Sequence, residues 1–313
     1  MSRETPQTVT IDDVRAAAER ISAHIHRTPI LTSATADGEL GASAFFKCEN
    51  FQKTGAYKAR GALNAVLQLD EGASSRGVLT HSSGNHGAAL AWAARRAGMP
   101  CRVVMPEGSN PMKVKAVAGY GAEIIWCAPG RREEEAAAVG AATGATLIHP
   151  YDHPHVVAGQ GTAALELFEE VSGLDVVVAP IGGGGLLSGT ALVADATGAR
   201  VVGGEPERAD DAHRSLQSGV RQPAVVDSDT IADGLRGGIG VVAFDTLSRL
   251  GTEIVTVTED EIVAAGLFYL QRMKLVVEPS GAAGLAALRR LDVSGARVGV
   301  IVSGGNTDFS WLP

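Results

Sequence analysis

The chain has 313 residues, enough for one large domain or two ordinary ones, and its 45% hydrophobic content is that of a globular protein. Aromatics make up only 4%, so the core must be built from Ala, Val, Leu and Ile. A net charge of −8 without any Lys/Arg-rich run argues against a nucleic-acid partner, and no apolar run reaches membrane-spanning length.

The polar start MSRETPQTVT lacks the apolar stretch of a signal peptide, and its first residues are expected to be loose. Thr10 caps a predicted helix opened by IDDVRAAAERISAHI, with Asp12 and Asp13 in the favourable first turn. Residues 44–48 and 78–81 read as short strands. A regular alternation follows: helix 86–97 ending at Gly98, strand 101–105, helix 111–119, strand 123–127, helix 132–142 and strand 145–148. Short apolar strands separated by helices are the mark of parallel βαβ units buried on both faces. A second series begins near Gly159, with helix 161–171, strand 175–180, the loop IGGGG, helix 186–196 and strand 200–204. Strand 253–257, helices 259–273 and 279–290 and strand 297–302 complete it. Two such series imply two sheets, with a ligand cleft between them. Cys48, Cys101 and Cys127 match no zinc or CxxC spacing and read as reduced thiols of a cytoplasmic protein.

The strongest physical signal is Gly182–Gly183–Gly184–Gly185, between an apolar strand and a helix. Consecutive glycines leave backbone N–H groups uncovered, so they can wrap an anion at a helix N-terminus. A flexible turn is the competing reading, but glycine carries an entropic cost that favours the phosphate cradle. No Gly-Lys-Ser/Thr follows, and the spacing of a dinucleotide fingerprint fails at Leu187 or Ser188. The stretch THSSGNHG (80–87) also joins a strand to a helix. Its two serines, asparagine and two histidines exceed what an N-cap needs and suit a carboxylate. Lys58, between Gly55 and Gly61, is by itself an ordinary surface charge. Beside a phosphate cradle and a carboxylate cradle it becomes the third part of a pyridoxal-phosphate enzyme acting on an amino acid.

FFKCENFQKTGAYKARGALNAV, THSSGNHG, VAGQGTAALEL, PIGGGGLLSG, DTIADGLRGGIG, MKLVVEPSGAAG and VSGGNTD occur in this order. Together they resemble the fold type II, pyridoxal-phosphate-dependent family of serine racemases and serine/threonine dehydratases, over about Ile11 to Asp308. The resemblance implies an α/β protein of two domains, each a mostly parallel sheet flanked by helices. Residues 1–75 and 150–313 would form the large cofactor domain, and 76–149 the small domain with the serine-asparagine loop. It implies Lys58 as the Schiff-base lysine that also moves the Cα proton, and Tyr57 against the cofactor ring. Gly182, Gly183, Gly184, Gly185 and Leu186 would hold the phosphate, Asn85 the phenolic oxygen, and Ser303 would face the pyridine nitrogen. Ser82, Ser83, Gly84, Asn85 and His86 would grip the substrate carboxylate.

A hydroxyl at Ser303 cannot hold a proton on the pyridine nitrogen as a carboxylate would, which suits β-elimination over a long-lived carbanion. The implied reaction is dehydration of L-serine- or L-threonine-type substrates to a 2-oxo acid and ammonia. Ser83 matches the racemase form of the motif, where dehydratases often carry alanine; it reads equally as a second acid/base opposite Lys58, which would add serine racemase activity, and as a carboxylate ligand alone. A racemase proper and a 3-hydroxyaspartate dehydratase are the alternatives. Arg131 and Arg132 read first as surface charge and second as cations for a further substrate carboxylate. EPERADD (205–211) resembles the family's divalent-cation site, with Glu205, Asp211 and the Ala209 carbonyl holding Mg²⁺ or Ca²⁺. A homodimer follows from the resemblance alone, and the end of the chain soon after Ser303 leaves no expected isoleucine-regulated domain. Ala56-Tyr57 departs from the usual Ser-Phe. A cysteine synthase-like enzyme would carry Asp-Arg after the lysine, where this chain has Ala59-Arg60. A non-catalytic phosphate-ligand binding protein would not need Lys58.

Overall fold

The computed structural model describes residues 8–313; the expectation of a loose start concerns residues before these. Among the described residues, ten strands form two sheets. One has six strands in the order β1–β2–β10–β7–β8–β9: β1 Ile30–Thr32, β2 Ser43–Cys48, β7 Val176–Pro180, β8 Arg200–Pro206, β9 Glu253–Val257 and β10 Arg297–Val302. Only the β1–β2 pair is antiparallel. The other sheet is wholly parallel, in the order β5–β4–β3–β6: β3 Val78–Thr80, β4 Cys101–Pro106, β5 Glu123–Cys127 and β6 Thr146–Leu147. This is the α/β architecture expected, with both faces of the central strands covered. Every residue of β7 is buried, as a strand sandwiched between helices requires.

The first helix, Ile11–Ile21, starts as its sequence dictates. The Thr10 hydroxyl accepts from the Asp13 N–H at 3.3 Å, and the Thr10 N–H donates to Asp13 Oδ2 at 2.8 Å. The expected helix 161–171 instead runs Pro154–Glu170, with Pro154 in its first turn. Gly159 and Gly161 look like breakers but are packing residues. A Cβ on Gly159 would lie 2.6 Å from the Cα of Gly61, and one on Gly161 3.0 Å from the Gly189 carbonyl. Helices Lys58–Val66 and Gly185–Asp195 therefore pack backbone-close on Pro154–Glu170. The expected helix 259–273 is α-helical over Glu259–Phe268, then widens into a π turn at Tyr269–Met273 and stops at Lys274, which has φ 59°. Among the described residues, no helix is long and apolar enough to cross a membrane, and all three cysteines are free and buried.

Candidate active site

Lys58 opens the helix Lys58–Val66, and the turn before it hangs on the end of β10. The Tyr57 N–H donates to the Ser303 carbonyl at 3.0 Å, and Ala56 forms an antiparallel bridge with Gly304. Residues 245 positions apart in sequence, Lys58 and Ser303, thus reach one place through backbone pairing. Gly55 sits at φ 72°, and a Cβ there would lie 2.5 Å from Asn306 Oδ1. A Cβ on Gly61 would meet the Val156 carbonyl at 2.6 Å. The glycines on either side of Lys58 thus have separate causes: a left-handed turn with a close approach at Gly55, and helix packing at Gly61.

The Lys58 side chain is half-buried and faces a cleft of about 300 Å³ between the two sheets. Its Nζ donates to the Pro150 carbonyl at 2.8 Å and lies 5.1 Å from the centre of the Tyr57 ring. Burial lowers the amine to about 8, partly offset by the nearby Glu278. A half-buried lysine without an ion-pair partner among the described residues more readily gives up its proton, as a Schiff-base or proton-moving lysine must.

The glycine loop follows β7 and leads into Gly185–Asp195. Its outer side is sealed. A Cβ on Gly182 would lie 2.8 Å from the Leu235 Cα, one on Gly184 2.5 Å from the Ala243 Cβ, and one on Gly183 would fall on the Tyr151 ring. Gly184 holds φ 85°. Among the described residues, the N–H groups of Gly182, Gly183 and Gly184 donate to no protein acceptor, while the loop lines the cleft. Unspent donors at a helix N-terminus fit a phosphate group.

Facing this loop, Ser82–Asn85 joins β3 to the helix Asn85–Ala97. The Gly84 N–H donates to Ser82 Oγ at 3.3 Å. Ser83 Oγ has no protein partner among the described residues and lines the cleft. The His86 ring is buried against the Ile148 carbonyl at 3.2 Å and held neutral by burial, so its backbone N–H is what it can offer an anion. Ser303 is buried at the cleft wall. The residues that the resemblance names for cofactor and substrate α-carboxylate all line this one cleft: Tyr57, Lys58, Ser82 to His86, Gly182 to Leu186, and Ser303.

The third group lies elsewhere. Glu205, fully buried, accepts from the Ala212 N–H at 2.9 Å and the His213 N–H at 2.8 Å. Asp211 Oδ2 accepts from the Ile239 N–H at 2.7 Å. Burial raises both carboxyls, Asp211 to about 6; the charges of Asp211 and Asp210 raise Glu205 further, and that of Asp210 raises Asp211. Among the described residues, no group of three or more His, Cys, Asp or Glu is placed to hold a metal ion.

Several cleft residues were not singled out from sequence. Glu278 is buried beneath the loop, accepts from Asn85 Nδ2 at 2.6 Å, and is raised to about 7 by burial and by Asp233. Its Glu-Pro-Ser setting reads as a helix entry, which it also is. Tyr151 roofs the glycine loop, and His149 stacks edge-on between it and His81, at 4.6 and 4.9 Å. His149 Nδ1 accepts from the Asp152 N–H at 2.9 Å, and burial lowers the ring to about 4. Lys113 and Asp233, from either side of the cleft, form an ion pair. Of the two arginines weighed together, Arg131 is exposed and paired with Glu134, whereas Arg132 is half-buried, lines the cleft and has no ion-pair or hydrogen-bond partner among the described residues.

Comparison with known proteins agrees with this geometry. The family model described as pyridoxal-phosphate dependent enzyme matches residues 21–304. The beta-hydroxyaspartate dehydratase of Paracoccus denitrificans is 47% identical, over 97% of this chain and 98% of that protein. The L-threo-3-hydroxyaspartate ammonia-lyase of Saccharomyces cerevisiae is 44% identical, over 96% and 94%. The crystal structure of serine racemase from Dictyostelium discoideum superposes with a TM-score of 0.91 at 44% identity, covering 96% of this chain and all of that one.

Proposed function

The chain belongs to the pyridoxal-phosphate-dependent enzyme family, in the fold type II group of serine racemases and hydroxy-amino-acid ammonia-lyases, and we propose that it dehydrates an L-3-hydroxy amino acid to a 2-oxo acid and ammonia. The observation that carries this reading is the convergence on one cleft of a lowered lysine amine, unspent glycine N–H groups, a serine-asparagine loop and Ser303.

When bound through Lys58, the cofactor supplies the electron sink that acidifies the substrate Cα–H. The Gly182–Leu186 backbone would hold its phosphate, Asn85 its phenolic oxygen, and Ser303 would offer the pyridine nitrogen a neutral hydroxyl. Ser82, Ser83 and the loop N–H groups through His86 orient the α-carboxylate. An amine lowered to about 8 is neutral in about one molecule in ten at pH 7, so Lys58 can take the Cα proton near neutrality. Ser83 Oγ, without a partner among the described residues, serves as the second acid/base that racemisation requires. The proton taken from Cα by Lys58 would leave with the β-hydroxyl as water, and hydrolysis of the released enamine would consume one water and free ammonia.

L-Serine and L-threonine both carry the α-carboxylate that the loop would hold. A 3-hydroxyaspartate is favoured by one further observation: Arg132 stands at the first position of the helix Arg132–Thr143, where the helix dipole disfavours a cation, yet among the described residues it has no counter-ion, and it lines the cleft. A substrate β-carboxylate would supply that counter-ion. Residues 76–149 act as a small domain closing on 1–75 and 150–313. Glu205 and Asp211, with the Ala209 carbonyl, offer the hard oxygen set that Mg²⁺ or Ca²⁺ takes, and a cation would relieve the crowding of their charges. A cytoplasmic homodimer without nucleic-acid or membrane partners is supported by the acidic balance, the free thiols and the resemblance. The test is to incubate the purified protein with each hydroxy amino acid, with and without Mg²⁺, and assay 2-oxo acid and D-isomer together. No 2-oxo acid from any of them would overturn the reading.

A further inference from the structure

Asn85 lies in a short chain of side-chain hydrogen bonds whose direction can be deduced. Asn306 Nδ2 donates to the Thr54 carbonyl at 2.7 Å and to Asn85 Oδ1 at 2.9 Å; Asn85 Nδ2 donates to Glu278 Oε1 at 2.6 Å. A backbone carbonyl only accepts, so Asn306 must present its NH₂ to Thr54. Its second N–H then meets Asn85, which must answer with oxygen. The Asn85 NH₂ is thereby turned to Glu278, and one of its two N–H groups is consumed there. A flipped Asn85 would set donor against donor at Asn306 and acceptor against acceptor at an ionised Glu278. Glu278 accepts through Oε1 whether ionised or neutral, so the direction holds across neutral pH.

We propose that Glu278 and Asn306 are positioning residues, which hold the Asn85 carboxamide in one orientation with a single N–H left for the phenolic oxygen of the cofactor. The inference rests on the reading of Asn85 as the partner of that oxygen. Two glycines make room for the arrangement. A Cβ on Gly55 would lie 2.5 Å from Asn306 Oδ1, and a Cβ on Gly304 would fall on Glu278 Oε1, with Asn85 Nδ2 at 3.3 Å. Gly304 bridges Ala56, and Thr54 and Gly55 belong to the turn that carries Lys58. The turn that presents the lysine therefore also sets the donor direction of an amide from the opposite, four-stranded side of the cleft. Asn306 and Asn85 are 221 residues apart, and Glu278 and Asn85 193, so only the fold could bring this chain together.

The test titrates cofactor-free protein with pyridoxal 5'-phosphate and reads the apparent affinity and the position of the absorption band, with circular dichroism to confirm folding. Asn85→Ala is expected to shift the band and weaken binding about tenfold, the scale of one lost hydrogen bond. Asn306→Asp, nearly isosteric, places an acceptor against Asn85 Oδ1 and is expected to shift the band the same way with a similar loss. Glu278→Ala should do likewise, and Glu278→Gln, whose amide oxygen can take the same hydrogen bond, should recover most of the affinity. Folded Asn306→Asp and Glu278→Ala variants with the parent's band and affinity, beside a shifted Asn85→Ala, would overturn the positioning role alone. A parent-like Asn85→Ala would remove the reading of Asn85 beneath it. If Asn306→Asp does not fold, Asn306→Ala decides by the same two readouts.

Discussion

Arg132→Ala removes the one cleft cation with no protein partner among the described residues. The three other cations that line the cleft are engaged: Lys58 with the Pro150 carbonyl, Lys113 with Asp233, and Arg236 with the Thr230 carbonyl at 3.2 Å through Nε. Losing Arg132 leaves no protein carboxylate unpaired, so the whole effect falls on the substrate group it meets. A hydrogen bond between charged groups contributes about 1.5–3 kcal/mol, which is about 10- to 150-fold in kcat/KM. The loss is expected for L-threo-3-hydroxyaspartate and not for L-serine, which has no β-carboxylate. Arg132→Lys should lie between the two, because it keeps the charge and loses the bidentate fork. Steady-state 2-oxo acid formation from both substrates, measured on the same preparations, reads the difference. Equal losses on both substrates, or none on either, would refute a β-carboxylate role for Arg132.

Ser83→Ala should abolish D-serine formation while 2-oxo acid formation persists; equal rates of D-serine formation in variant and parent would remove Ser83 as the second acid/base. His149, lowered to about 4 by burial, binds its proton more readily in the unfolded chain, where an ordinary histidine titrates near 6.5. Its contribution to stability is therefore complete above about pH 6.5 and is lost as pH falls towards 4, by up to about 3 kcal/mol. Urea melts of cofactor-free protein between pH 7 and 4 should show this acid loss, and it should be smaller in His149→Asn, whose amide oxygen can accept from Asp152 without titrating. Chelation, or Asp211→Ala, should lower both the melting temperature and turnover if a divalent cation neutralises Glu205 and Asp211; no change in either would remove the cation.

What could be read from sequence was chemistry carried by residue type in a local setting. Four glycines after an apolar strand announce a backbone donor site wherever the strand lies, and the βαβ alternation announces two parallel sheets. The Thr10–Asp13 cap was legible because a capping box is local. The Pro154–Glu170 helix was cut short because Gly159 and Gly161 look like breakers until the close approach of Gly61 and Gly189 is seen. Glu278 and Asn306 were illegible for a different reason. Their significance lies in hydrogen-bond partners about two hundred residues away, which no local pattern encodes. Arg131 and Arg132 were indistinguishable as neighbours. The start of the helix at Arg132 separates them, leaving one paired in solvent and the other turned to the cleft.

The central claim is that Lys58 is the covalent anchor of the cofactor in a cleft built for an amino acid. It is tested most directly by loading the protein with pyridoxal 5'-phosphate, reducing with borohydride, digesting, and locating the pyridoxyl group by mass. The expected result is a single modified peptide carrying the group on Lys58, and no yellow, borohydride-sensitive species in Lys58→Ala. A pyridoxyl group on another lysine, or a Lys58→Ala variant that still forms the coloured species, would contradict it.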